Sequence, residues 1–243
     1  MVRRLDYLWL ALAMLAVWQV MHMLTGPDAV ASPALTLARV YELAGSAAFW
    51  RHTGATAEAF ALGCIVAILS GLFAGVGLGL NRTAGDVADP MLGSLYSIPK
   101  ITLYPIILLI FGLSFSAKVA FGAIHGFFPI AIFAMNGVRK VAPVYLKSAR
   151  MMRLSPWATA MRVLIPAALP EILAGIRIGL ALTLLGTLIA EFFASTSGLG
   201  FALIRATEAH AVVDVMALTF VLFAFAILSN SLFVLFERRA VHG

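Results

Sequence analysis

Charge is scarce in this chain: Asp, Glu, Lys and Arg make up 12% of 243 residues, against 62% apolar residues and a mean hydropathy of +1.01. So little polar surface cannot cover a soluble globule, and the chain is read as an integral membrane protein. Short segments of alternating polarity are missing as well. The apolar runs are long and apolar on every face, which excludes a barrel and leaves helices that satisfy their own backbone, so the fold class is all-α. The one cysteine, Cys64, lies inside an apolar run, so neither an intrachain disulfide nor a thiolate metal cluster can form. Acids are fewer than bases, 11 against 17, for a formal net charge of +6. That excess does not point to nucleic acid, because the basic residues fall between apolar spans, as in membrane proteins whose cytoplasmic loops retain Lys and Arg. There is neither a nucleotide-binding loop nor room for a soluble domain, so the chain either borrows energy from a partner or conducts passively.

About 20 mostly apolar residues cross a bilayer, and that yardstick finds six spans, near 7–24, 58–80, 91–112, 118–138, 168–191 and 212–236. Ala29-Val30-Ala31 imitates a signal-peptidase site, but the first run is long for a signal core and is read as an uncleaved helix. One side of the spans receives Arg3, Arg4, Arg82, Arg139, Lys140, Lys147, Arg150, Arg153, Arg162, Arg238 and Arg239; the other receives Arg39, Arg51, Lys118 and Arg205. The first side is expected to be cytoplasmic, with both termini inside, an outer loop over 25–57 and the largest inner loop over 139–166.

That inner loop is a basic interruption in a membrane-grade chain. Pro143 opens a helical stretch carrying Lys147, Ser148, Arg150 and Arg153, and Ser155-Pro156 restarts the chain. Serine as N-cap with proline at the first helical position predicts a second, short helix from Pro156 to about Leu164. Trp157, Ala160, Met161 and Leu164 then share one face, with Thr159 and Arg162 displaced from it. Pro166 and Pro170 bracket the entry to the fifth span. Local chemistry leaves two readings open: a plug for a partner's groove, or a helix lying on the lipid surface.

An ionisable group at membrane depth costs about 3 kcal/mol or more, so each needs a reason. Lys100 either snorkels or lines an inner vestibule. Glu171 and Arg177 are six apart and are expected to pair elsewhere; Arg177, able to hold an oxyanion bidentately, is the better pathway residue. Glu191, Ser195 and Ser197 stand at the end of the fifth span, where hydroxyls and glycines either face an anion or turn the chain and cap a short helix. His125, Asn136 and Asn230 suggest interhelical hydrogen bonds. Gly71, Gly75 and Gly79 form a small-residue face that suits an internal or a dimer seam. An intramembrane enzyme lacks its signature, since there is no His-Glu-x-x-His and His125 has no evident partner. A passive channel or ion-driven carrier is the remaining rival, although the two halves are not visibly repeated.

Residues 147–166 resemble the loop of inner-membrane permease subunits of binding-protein-dependent ABC importers. In that family Glu-Ala-Ala is followed after three residues by Gly and, nine further on, by Ile-x-Leu-Pro; here Lys147-Ser148-Ala149, Arg153, Val163 and Ile165-Pro166 take those places. Ser97-Ile98-Pro99-Lys100-Ile101, Phe111-Gly112-Leu113, Phe127-Phe128-Pro129-Ile130, Asn136-Gly137, Gly175-Ile176-Arg177-Ile178-Gly179, Ala190-Glu191 and Ser197-Gly198-Leu199-Gly200 occur in the order seen in the nitrate, sulfonate and taurine subgroup. The resemblance implies a transmembrane domain over 56–239 with a coupling loop at 139–166, preceded by a first helix and outer loop over 1–55. It implies that Lys147, Ala149, Arg150, Arg153, Ser155, Trp157, Met161, Arg162, Val163 and Pro166 meet an ATP-binding subunit. Lys100, Arg177, Glu191, Ser195 and Ser197 are the candidate pathway residues, and a small anion is the expected solute. The chain is expected to be a non-catalytic subunit binding no cofactor of its own. ATP and Mg belong to two cytosolic ATPase subunits. Further partners are an extracytoplasmic binding protein, a second permease copy and lipid, in a bacterial inner membrane.

Overall fold

Side chains that cap backbone N–H groups set several helix starts. Ser32, Asn81 and Ser155 accept from the amides of Leu35, Ala84 and Ala158 at 3.3, 3.1 and 3.2 Å, and proline follows at the first helical position after Ser32 and Ser155. The computed structural model describes residues 4–193 and 195–242. Its helices are α1 (Arg4–Thr25), α2 (Pro33–Ala44), α3 (Ala47–Leu80), α4 (Arg82–Ser97), α5 (Tyr104–Phe111), α6 (Phe115–Arg139), α7 (Pro143–Met151), α8 (Pro156–Thr159), α9 (Ile165–Phe193), α10 (Leu199–Glu208) and α11 (Val212–His242). A 3-10 turn, Lys100–Leu103, precedes α5, and a π turn, Ala160–Leu164, joins α8 to α9. The chain is an all-α polytopic membrane protein.

Three expectations about the spans change. Ala47–Leu80, Phe115–Arg139, Pro156–Phe193 and Val212–Arg239 are long and apolar enough to cross a membrane, while Trp9–Thr25 is a shorter apolar helix. The third span is a broken pair, Arg82–Ser97 and Lys100–Phe111, bent by 85°, and counted as one span it brings the number among the described residues to five. Proline explains the break. Pro99 forces the residue before it out of the helical region, and Ile98 is extended at φ −63 and ψ 134. The outer loop over 25–57 is largely helical, since α2 lies in it and α3 begins at Ala47.

The chain divides into two compact units, Met1–Thr56 with Thr196–Ile227, and Ala57–Ser195 with Leu228–Gly243. In the second, α6 and α9 are antiparallel: contacts run from Lys118–Glu191 through Gly126–Thr183 and Phe133–Gly175 to Gly137–Glu171. Helix α3 runs the same way as α6, because Gly63 meets Val119 and Ala123, Gly71 meets Phe127 and Ile130, and Gly79 meets Met135 and Val138. The Gly71, Gly75 and Gly79 face is therefore an internal seam against α6. With α3 and α6 parallel, the bent pair between them carries the chain back across. The end of α3 and the segment 139–166 consequently lie on one side. Ile130, Ala134, Ala168, Leu173 and Ile176 form the main core cluster, and Tyr104, Ile107, Phe121 and Ala190 a second one, where the Tyr104 hydroxyl donates to the Ala190 carbonyl at 2.8 Å.

In the first unit, Arg39 on α2 donates to Asp214 on α11, and its Nη1 donates to Glu42 at 2.7 Å. Asp214 first, and Glu42 second, hold this guanidinium above its ordinary pKa. Gly198, at φ +121 where a side chain would be strained, opens α10. Its amide donates to His52 Nδ1 at 3.1 Å, and that of Leu199 donates to Thr56 Oγ1 at 2.7 Å. These two α3 side chains satisfy amides that no helical carbonyl can reach.

Candidate functional site: the 139–166 segment and the charges within the helices

The segment 139–166 is built from two capped pieces. Helix α7 ends when the amides of Arg153 and Leu154 donate to the carbonyls of Arg150 and Ala149, at 3.0 and 3.1 Å. This is a Schellman closure, with Arg153 at the left-handed position (φ +52) that glycine usually fills. Arg153 keeps the left-handed geometry at the place where the importer loop pattern has glycine. Arg153→Gly is expected to stabilise the α7 terminus by about 1 kcal/mol, measured as slower hydrogen exchange at the Leu154 amide. Unchanged or faster exchange would remove the strain from the account.

Ser155 caps α8 with Pro156 behind it, as expected, but the short helix does not stop near Leu164. From Pro156 the chain runs helically to Phe193. At Ala160–Leu164 it widens into a π turn, in which the Ile165 amide donates to the Ala160 carbonyl five residues back. Pro166 has no N–H, and its ring would press on the carbonyl four residues before it. A wider turn directly ahead relieves that clash without ending the helix. The widening also divides the expected face: Ala160 and Leu164 are buried, whereas Trp157 is 72% exposed and Met161 is exposed. Trp157 and Met161 line an apolar groove of about 700 Å³ with Leu72, Phe73 and Val76 of α3. Ala149 is buried, Val163 half-buried and Pro166 exposed.

Charge is unevenly matched along this segment. Arg139 pairs with Asp86, and Lys140 with Glu171 at 2.8 Å. Both pairs stand at the membrane end of the segment, and Arg82, Asp89, Asn136, Arg139 and Lys140 line a cavity of about 660 Å³ there. Beyond them Lys147, Arg150, Arg153 and Arg162 are all exposed, and none has a carboxylate partner among the described residues. No acid occurs between Asp89 and Glu171. Four unmatched cations beside an exposed tryptophan and the exposed Met151 and Met152 make a surface suited to a protein partner with acidic groups around an apolar recess.

Within the helices the candidate pathway residues separate. Arg177 donates to Glu237 on α11, so its charge has a counter-ion, and Glu171 and Arg177 do pair elsewhere. Glu191 is fully buried and pairs with Lys118 at 3.6 Å, the lysine side chain being 5% exposed. Sequence reasoning counts Lys118 with the outer-side charges at the start of the fourth span and gives it no partner; it lies in the first turn of α6 and turns inward to Glu191. Ser195 and Ser197 are half-buried in the connection from α9 to α10, where each has a partner. His125 bonds the Phe121 carbonyl of its own helix at 2.9 Å rather than another helix. Lys100 stands at the break of the third span; its Nζ donates to the Tyr96 carbonyl at 2.8 Å and lies 4.6 and 5.2 Å from the Tyr96 and Phe128 ring centres. Among the described residues no group of three or more His, Cys, Asp or Glu could hold a metal ion.

Residues 67–242 match the family described as binding-protein-dependent transport system inner membrane component. The taurine transport system permease protein TauC of Escherichia coli (strain K12) is 30% identical over 224 residues, covering 85% of this chain and 82% of that protein. The putative aliphatic sulfonates transport permease protein SsuC of Bacillus subtilis (strain 168) is 30% identical over 234 residues, covering 96% and 85%. In fold the chain is similar to a chain of the MetNI methionine ABC transporter in an inward-facing conformation, with a TM-score of 0.67 at 19% identity, covering 79% of this chain and 94% of that one.

Proposed function

We infer the role of this chain from its family: it belongs to the inner membrane components of binding-protein-dependent transport systems, which are non-catalytic permease subunits. Residues 56–239 form the transport domain, and residues 1–55 add a first helix and an outer loop. The solute is a small anion of the sulfonate or nitrate class, in keeping with the taurine and sulfonate relatives. A loaded binding protein docks on the outer side. Two cytosolic subunits that bind ATP and Mg close on each other, and their motion reaches the spans through 139–166. Two permease copies enclose the pathway, and both termini lie in the cytosol. One observation carries this reading: on the side where α3 and α6 end, the chain presents a capped, acid-free surface whose four outermost cations have no carboxylate partner among the described residues.

The ATPase-meeting residues are then Lys147, Arg150, Arg153 and Arg162 as charges and Trp157 and Met161 as apolar contacts, with Ala149, Ser155, Val163 and Pro166 shaping the backbone beneath them. Lys147→Glu is expected to weaken assembly with the ATP-binding subunit about tenfold while membrane insertion stays intact, read by co-purification and ATPase stimulation. Unchanged co-purification together with unchanged stimulation would contradict it. A lipid-surface role for the segment predicts that same null result.

A further inference from the structure

We propose that Lys100 is an anion-binding site of the translocation pathway, taking a small oxyanion such as a sulfonate, a carboxylate or nitrate. The proposal rests on the permease reading above and adds the group that meets the solute. Lys100 follows Pro99 at the 85° break of the third span, so the ammonium stands where one helix has ended and the next has not begun. Depth follows from its neighbour. Phe128, whose ring centre is 5.2 Å from Nζ, lies near the middle of α6, Phe115–Arg139, so the cation is held near mid-membrane. Secondary transporters, on other folds, place solute sites at discontinuous helices of this kind, and the break here offers the same interrupted backbone beside a cation.

Four other cations of this unit are answered within the chain, Lys118 by Glu191, Arg139 by Asp86, Lys140 by Glu171 and Arg177 by Glu237, while the unmatched Lys147, Arg150, Arg153 and Arg162 belong to the exposed 139–166 segment. Lys100 has no carboxylate among the described residues; it has one carbonyl and two ring faces. An ammonium carries three N–H donors, and the Tyr96 carbonyl takes one. The rings steady the cation without neutralising it. Its flanks are open and mixed: Ser94, Ser97 and Thr102 are exposed, with hydroxyls donating back to the carbonyls of Pro90, Gly93 and Pro99, and Leu95, Ile98 and Ile101 are exposed among them. Hydrocarbon would leave the remaining N–H donors of the ammonium unanswered, whereas an oxyanion supplies the charge and acceptors that Lys100 lacks.

A lipid phosphate offers the same chemistry, and the test separates the two sources. The chain is purified in a neutral maltoside detergent, and its melting temperature is followed in sodium nitrate and sodium methanesulfonate against sodium chloride of equal ionic strength. A saturable stabilisation by the oxyanions is expected, retained in Lys100→Arg and weakened about 10- to 100-fold in apparent affinity in Lys100→Gln, which keeps an N–H donor but no charge. Equal response of the wild type and Lys100→Gln overturns the proposal. So does an oxyanion effect that vanishes in the wild type once lipid is stripped away and returns only with added phospholipid. Should Lys100→Gln not fold, loss of the oxyanion response in Lys100→Arg would equally overturn it. No ATPase or binding protein is needed, so failure here is distinct from failure of the permease reading, which would appear as absence of ATP-dependent uptake by the wild-type complex.

Discussion

Glu191→Gln is expected to destabilise the protein by about 3–5 kcal/mol, because it leaves the Lys118 ammonium buried without its counter-charge. The two side chains are 0% and 5% exposed and join the end of α9 to the first turn of α6, next to the cluster of Tyr104, Phe121 and Ala190. Neither charge can escape to water without opening that end of the helix pair. Replacing both by apolar residues of similar volume, as in Lys118→Met with Glu191→Leu, is expected to restore most of the loss, since a buried pair in good packing can be exchanged for a hydrophobic contact at little cost. Thermal unfolding of the four proteins in one detergent closes the cycle. Losses that simply add, or a single-site loss below about 1 kcal/mol, would mean that water reaches the pair and that it does not fasten α6 to α9.

Gly75→Leu is expected to abolish recovery of folded protein. A Cβ at Gly75 would meet the Ala131 carbonyl and come within 2.8 Å of the Ala134 Cβ, so the obstacle is chiefly the α6 backbone, which has no rotamer to change. Even Gly75→Ala is expected to cost about 1–3 kcal/mol, the usual penalty of an overpacked interior. Gly77, two residues along the same helix, is the control: beyond its own neighbouring backbone, no heavy atom lies within 4 Å of its Cβ position, so Gly77→Ala should be neutral or slightly stabilising. Monodisperse yield and melting temperature measure all three. Normal behaviour of Gly75→Leu would remove the glycine face from the α3–α6 seam and leave it free for contact with another chain.

How much of this was legible in the sequence depended on the range of each interaction. Ser155-Pro156 announced a helix start because capping is settled within four residues, and the cap is in place. The paucity of charge announced membrane helices because that property belongs to the whole chain. The break at Pro99 was harder to see: hydropathy averaged over 91–112 treats two helices at 85° as one run, although Ile98-Pro99 was in view. The π turn at Ala160–Leu164 escaped for a related reason. Pro166 reads locally as a boundary, yet a wider turn lets one helix continue through it. Partners distant along the chain were out of reach. Lys118 and Glu191 look like an outer-side cation and a span-end acid until α6 and α9 are seen to run antiparallel. For Arg153 the signal lies in the loop pattern itself, since a position that the pattern fills with glycine marks left-handed backbone, which the arginine adopts at φ +52.

The most direct measurement reconstitutes the chain in liposomes with its ATP-binding subunits and solute-loaded binding protein, and follows solute entry with and without ATP inside. The account predicts uptake only with ATP, and loss of that uptake when Lys147 is reversed to glutamate, with the chain still inserted. Solute entry at the same rate without ATP would contradict it and make the chain a passive channel or an ion-driven carrier.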